Sequence, residues 1–307
     1  MGVPVALVMV LTSFSPLSNI LVVDMGVVDY CRMMRLPNSL MSGFGAVFML
    51  LMFRYYDFSG VGFVRLLAGF VTGFTITSAS MLVNDVVDLE VDRVNKPWKP
   101  LPSGKASPRI SLNLALVLVV VGVLLNLVIN IYVALVAAVY AVLGLGYSFL
   151  RRHWWSQLVV AASTTGPIIY GYIAAEAPPS DTVVVAGLSL TIFIVTLGRE
   201  VLKAIQDIEG DRIQGYETIP LKTGVEASSK LLVVTGITGP LTGVLTGLLT
   251  GSSILYKILI TVAGVLYFYS MTKAYRFLGI KEKLEEARRE TLVEMLIGLL
   301  GFWLYKA

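Results

Sequence analysis

Nine runs of mostly apolar residues, each close to the roughly twenty needed to cross a bilayer, constrain this chain more than any other feature. They lie near residues 33–53, 61–83, 110–128, 130–150, 157–175, 182–202, 229–249, 253–273 and 290–305. Only 14% of the residues are charged, against about 25% in a soluble domain. Lipid therefore replaces water as the outer solvent, and the expected fold is an all-α membrane protein with nine transmembrane helices. The length of 307 residues fits one such domain, taken as 30–307.

Lysine and arginine set the expected orientation. Connections after the second, fourth, sixth and eighth runs are basic: Arg93, Lys96, Lys99, Lys105 and Arg109 in one, and Lys273, Arg276, Lys281, Lys283, Arg288 and Arg289 in another. The opposite connections are short and nearly bare of charge. Basic loops stay on the cytoplasmic side during insertion. This predicts a multi-pass cell-membrane protein with its charged face in the cytoplasm. The formal charge of +4 is explained by those loops and implies no nucleic-acid partner. Cys31 is the lone cysteine, which excludes an intrachain disulfide and a cysteine metal cluster. His153 is the lone histidine and cannot form a paired-histidine metal site.

Residues 1–29 read as an N-terminal extension. Their apolar run from Val3 to Val23 is broken by Pro4 and Pro16 and lacks the basic start of a signal peptide.

Two acidic segments stand out. Asn84-Asp85-Val86-Val87-Asp88-Leu89-Glu90-Val91-Asp92 closes the second run, and Asp207-Ile208-Glu209-Gly210-Asp211 closes the sixth. Each places aspartates four apart, a weak internal repeat that suggests two similar four-helix halves plus one helix. On a helix, residues four apart share a face, so Asn84, Asp88 and Asp92 would form one stripe of oxygen ligands. Asp207 and Asp211 would do the same in the second segment. Clustered acids at the edge of a membrane span repel one another, and a cation would relieve that cost. Magnesium suits such ligands and shares its shell with substrate phosphates. Two ions bridged by a diphosphate are expected, with Lys99, Arg151, Arg199 and Lys203 as diphosphate-binding cations. Glu200 is spaced to pair with Lys203. The proline-rich stretch Lys96-Pro97-Trp98-Lys99-Pro100-Leu101-Pro102 would stiffen a loop over the site.

At these residues the sequence resembles the UbiA family of intramembrane prenyltransferases. Asn84 to Gly104 (NDVVDLEVDRVNKPWKPLPSG) is similar to the family's first motif and following loop, and Arg199 to Gly224 to its second. Arg35-Leu36-Pro37-Asn38-Ser39-Leu40-Met41-Ser42-Gly43 resembles the first-helix signature, and Tyr147-Ser148 with Arg151-Arg152 resembles the tyrosine and basic pair after the fourth helix. The resemblance implies helices around a central cavity, a cytoplasmic active site, magnesium, and a tunnel open to lipid. It also implies catalytic roles for Asp88, Asp207, Lys203 and Tyr147, and further substrate contacts from Asn38 and Arg35. Within the family, the lysine-containing second motif is most similar to members that prenylate a glyceryl phosphate lipid. Ala204 and Gln206 depart from that pattern, as does Ser156-Gln157.

The expected reaction is transfer of a geranylgeranyl-type chain from its diphosphate to a lipid hydroxyl. An aromatic quinone-precursor acceptor is the alternative. A cation or proton transporter is a more distant one, because transport would place acids at mid-span.

Overall fold

The computed structural model describes residues 26–54, 58–150, 153–213 and 215–306. All its regular structure is helical. A first helix, α1, covers 26–33 and runs across the expected domain boundary at 29/30. The apolar run Val3–Val23 lies outside the described residues.

The long helices follow in order: α2 (Leu36–Arg54), α3 (Gly60–Val87), then the short α4 (Leu89–Asn95), α5 (Pro108–Leu124) and α6 (Ile131–Leu150). Two short helices, α7 (Ser156–Ser163) and α8 (Gly166–Ala174), precede α9 (Thr182–Gln206). The chain ends with α10 (Ile208–Ile213), α11 (Ile219–Thr223), α12 (Val225–Leu249), α13 (Ile254–Arg276) and α14 (Lys281–Trp303). Seven of these helical segments are long and apolar enough to span a membrane: α2, α3, α5 with its 3-10 extension to Val128, α6, α9 with its leading turn from Pro179, α12 and α13.

The other two expected spans take different forms. Residues 157–175 fold as α7 and α8 rather than one rod. The Thr164 and Thr165 hydroxyls bond back to the carbonyls of Ala161 and Ala162, at 2.8 and 2.7 Å. Such back-bonding competes with the helix ladder, and Pro167 lacks the N–H to continue it. The run 290–305 lies largely within α14, whose first turns are charged.

Packing divides the helices into α2, α3, α5 and α6 on one side and α9, α12, α13 and α14 on the other, with α7 and α8 between them. α14 returns to α2, where Phe48 stacks on Trp303 at 5.7 Å. With lipid outside, close backbone approach drives this packing. A Cβ on Gly73 of α3 would lie 2.5 Å from the Ser42 carbonyl oxygen of α2, so only glycine permits that crossing. Polar side chains pair across helices too: Asn126 donates to Thr72 Oγ1 at 2.8 Å and accepts from Tyr170 at 2.7 Å. Between α13 and α14, Lys273 Nζ lies 2.8 Å from both Glu286 and Glu290.

Candidate active site

Both acidic segments are built the same way. α3 stops at Val87, Asp88 takes φ −82° and ψ 2°, and α4 resumes at Leu89. α9 stops at Gln206, Asp207 takes φ −95° and ψ 8°, and α10 resumes at Ile208. Each aspartate is a single residue in the bridge region of backbone space, set between intact i to i−4 bonds. Asp88 N–H donates to the Asn84 carbonyl at 2.9 Å and Asp92 N–H to the Asp88 carbonyl at 2.8 Å. Asp207 N–H donates to Lys203 at 3.0 Å and Asp211 N–H to Asp207 at 2.9 Å. The repeat seen in the sequence is thus a repeat of backbone geometry.

In the first motif, Asn84 Nδ2 donates to Asp88 Oδ2 at 3.1 Å, as the spacing of four anticipates. Asp92 turns to a different partner. Lys99 Nζ lies 2.6 Å from Asp92 Oδ2 and 3.1 Å from Asp85 Oδ1, and both carboxylates are buried. Arg35 adds a contact to Asp85 Oδ1 at 3.5 Å from a left-handed backbone, φ 49°, at the α1–α2 junction. Burial alone would lower the Lys99 ammonium; its bonds to Asp92 and Asp85 outweigh that and hold it above the ordinary lysine value.

The loop delivers Lys99 for identifiable reasons. Leu101 and Ala106 are buried in the cluster formed by Met33, Ala79, Leu82, Val83 and Ala115. Gly104 takes φ 75°, and the Pro100 carbonyl accepts from Lys105 and Ala106 at 2.9 and 3.0 Å. Tyr30 Oη accepts from Ser107 N–H at 3.0 Å and ties the loop end to α1. With Leu101 inserted, Lys99 is held two residues away, over the carboxylates.

In the second motif, Glu200 is buried between Arg199 and Lys203, 3.7 and 3.5 Å away. Gln157 locks this turn: its Nε2 donates to the Glu200 carbonyl at 3.1 Å and its Oε1 accepts from Ile219 N–H at 2.9 Å. Arg199 Nε is buried with no partner among the described residues, a donor that an anion's oxygen would satisfy. Asp207 is exposed at the helix end. Tyr147 is half-buried near the end of α6, and Asn38 is exposed in the first turn of α2. Arg151 lies outside the described residues.

Sequence reasoning assigned no role to Asp85, Gln157 or Gln206. Asp85 lies off the stripe of Asn84, Asp88 and Asp92, but it stands seven residues, about two helical turns, before Asp92. That spacing was the available signal.

Among the described residues, no three histidine, cysteine or acidic side chains converge on one point to hold a metal. The donors present still fit magnesium. They are oxygen atoms in small sets, as magnesium takes when substrate phosphates complete its shell. The Asp85–Asp92 pair already embraces one cation, the Lys99 ammonium.

Fold and site define a multi-pass helical membrane protein with paired acidic and basic motifs at the ends of two long helices. Comparison with known proteins agrees. The model of the UbiA prenyltransferase family matches residues 42–292, and the chain belongs to that family. It is a prenyltransferase. A digeranylgeranylglyceryl phosphate synthase from Methanosphaera stadtmanae is 27% identical over 273 residues, 88% of this chain and 95% of that one. One from Saccharolobus solfataricus is 30% identical over 228 residues, 71% of this chain and 78% of that one. The solved structure of a UbiA homolog from Archaeoglobus fulgidus bound to GPP and Mg2+ shares the fold, with TM-score 0.67 and 17% identity over 89% of this chain and 99% of that one.

Proposed function

We propose that this enzyme transfers a geranylgeranyl chain from its diphosphate to the free hydroxyl of geranylgeranylglyceryl phosphate, forming the second ether bond of a lipid core. The observation that carries the reading is the likeness, over nearly the whole chain, to relatives named digeranylgeranylglyceryl phosphate synthase. The Archaeoglobus fulgidus neighbour's GPP and Mg2+ support an isoprenyl diphosphate donor and a divalent metal.

In this reading Asn84, Asp88 and Asp92 would hold one magnesium ion and Asp207 and Asp211 a second, both serving the substrate's diphosphate. When bound, magnesium supplies charge neutralisation that weakens the bond from the diphosphate oxygen to the prenyl carbon. Arg199, through its buried Nε, Lys203 and Arg151 bind the diphosphate oxygens. Lys99, held against Asp92 in this structure, would supply a further positive charge to the departing diphosphate. Its loop covers the site and keeps water from the allylic cation. Tyr147 has a catalytic role, and Arg35 and Asn38 make further substrate contacts. The active site faces the cytoplasm at the cell membrane. The chain crosses nine times, with α7–α8 and α14 as the two spans beyond the seven, and residues 1–29 stand outside the catalytic domain.

The acceptor's phosphate tests this reading. Removing it should lower kcat/KM about tenfold or more, since about 1.4 kcal/mol of lost charge-assisted binding is a factor of ten. Equal rates with the dephosphorylated acceptor would overturn the acceptor assignment.

A further inference from the structure

The two motifs differ in how their kinked ends are held. After Asp88, α4 carries the buried Asp92, fixed by Lys99. After Asp207, α10 has no buried residue at all. An exposed six-residue helix beyond a kink has little packing of its own to fix its direction. Besides its chain neighbours α9 and α11, side chains of α14, far along the chain, reach both sides of the kink. Gln206, the residue before the kink, donates from Nε2 to Glu285 Oε2 at 2.8 Å. Lys281 Nζ reaches Glu209, two residues after the kink, at 3.2 Å.

Glu285 is itself fixed before it meets Gln206. Arg288 and Arg289 lie 2.8 and 3.0 Å from its carboxylate. Its neighbours Leu284 and Ala287 are buried against Val201, Leu202 and Ile205 of α9, so this turn of α14 is seated on the helix that carries the motif. The bond also needs the amide of Gln206: a carboxylate there would face a carboxylate.

We propose that Glu285 is a positioning residue for the second motif, setting the direction of Asp207 through the Gln206 amide. The inference rests on the reading of Asp207 as a magnesium and diphosphate residue. Partners one step behind a metal ligand commonly control affinity by tenfold or more while making no contact with the metal.

The test is the magnesium dependence of prenyl transfer by the full-length protein in detergent, read together with the magnesium concentration that half-saturates its thermal stabilisation, which should shift in parallel. Glu285→Ala should raise the magnesium concentration for half-maximal rate about tenfold, with kcat at saturating magnesium within about twofold of the parent. Gln206→Ala removes the same bond from the other side and should do the same, which serves if Glu285→Ala folds poorly. The double variant should be no worse than either single, because both delete one interaction. Gln206→Glu should be as impaired, and Gln206→Glu with Glu285→Gln should recover, since the bond is rebuilt in reverse. Glu286→Ala, which removes partners of Lys273 and Lys283 only, should leave the magnesium curve unchanged. An unshifted curve for both Glu285→Ala and Gln206→Ala, or fully additive losses in the double variant, would overturn the proposal. Asp207→Ala keeps the two readings apart. If it abolishes turnover while Glu285→Ala has no effect, only the positioning role fails; if Asp207→Ala is active, the metal reading fails.

Discussion

Lys99 Nζ sits 2.6 Å from Asp92 Oδ2, across a loop whose own buried leucine is two residues away. The ammonium occupies the acidic motif as a tethered cation. Lys99→Met leaves Asp85 and Asp92 buried without that partner. It should cost about 3 kcal/mol, the lower end for breaking a buried pair, because 22% of the Lys99 side chain still meets solvent. Added magnesium should restore part of the lost thermal stability. A variant as stable as the parent, or one indifferent to magnesium, would show that the pair needs no cation.

The pH dependence of these contacts has a definite sign. Lys99 is held above 10.5, so its contribution is complete below pH 10.5 and fades only as pH rises through the higher folded-state value. Glu285 is held down at about 2, by Gln206 first and then Arg289 and Arg288, from an ordinary 4.5. Its contribution is complete above pH 4.5 and fades as pH falls toward 2. The stability difference between the parent and Lys99→Met should therefore be flat from about pH 6 to 9. Thermal melts across that range check this.

The matching helix ends at Asp88 and Asp207 were legible in the sequence because their signal is local: a spacing of four and an unusual charge closing an apolar run. The destination of Lys99 was not, since it depends on where Leu101 packs. Nor was the Gln206–Glu285 bond, whose partners are 79 residues apart. Apolar length marked seven spans well. It could not foresee the break at Thr164 and Thr165, where side-chain hydroxyls and Pro167 interrupt a run that composition alone reads as continuous.

Asp88→Ala or Asp207→Ala should abolish turnover, because in the proposed site each removes a charged ligand that serves the one diphosphate. Initial rates at limiting and saturating magnesium check this. Full activity of either variant at limiting magnesium would refute the two-motif site.

Gly73→Ala forces a methyl group against the Ser42 backbone. A backbone cannot rotate away, so the cost should be about 1–3 kcal/mol. Thermal unfolding in detergent measures it, and an unchanged midpoint would show that α2 and α3 separate easily.

Single cysteines at Ser107 and Ser180, in a Cys31→Ser background, should react with an impermeant reagent from opposite sides of the membrane. The charge asymmetry predicts 93–109 on the cytoplasmic side and 175–181 on the other. Labelling of both from one side would contradict the nine-span topology.

The most direct test of the central claim is the product itself. Purified protein, magnesium and labelled geranylgeranyl diphosphate are offered geranylgeranylglyceryl phosphate alongside aromatic acceptors, and the labelled product is analysed by mass spectrometry with acid cleavage of the ether. The account predicts a phosphate-bearing diether lipid, with a new C–O bond and no new C–C bond. Label found only on aromatic carbon would contradict it.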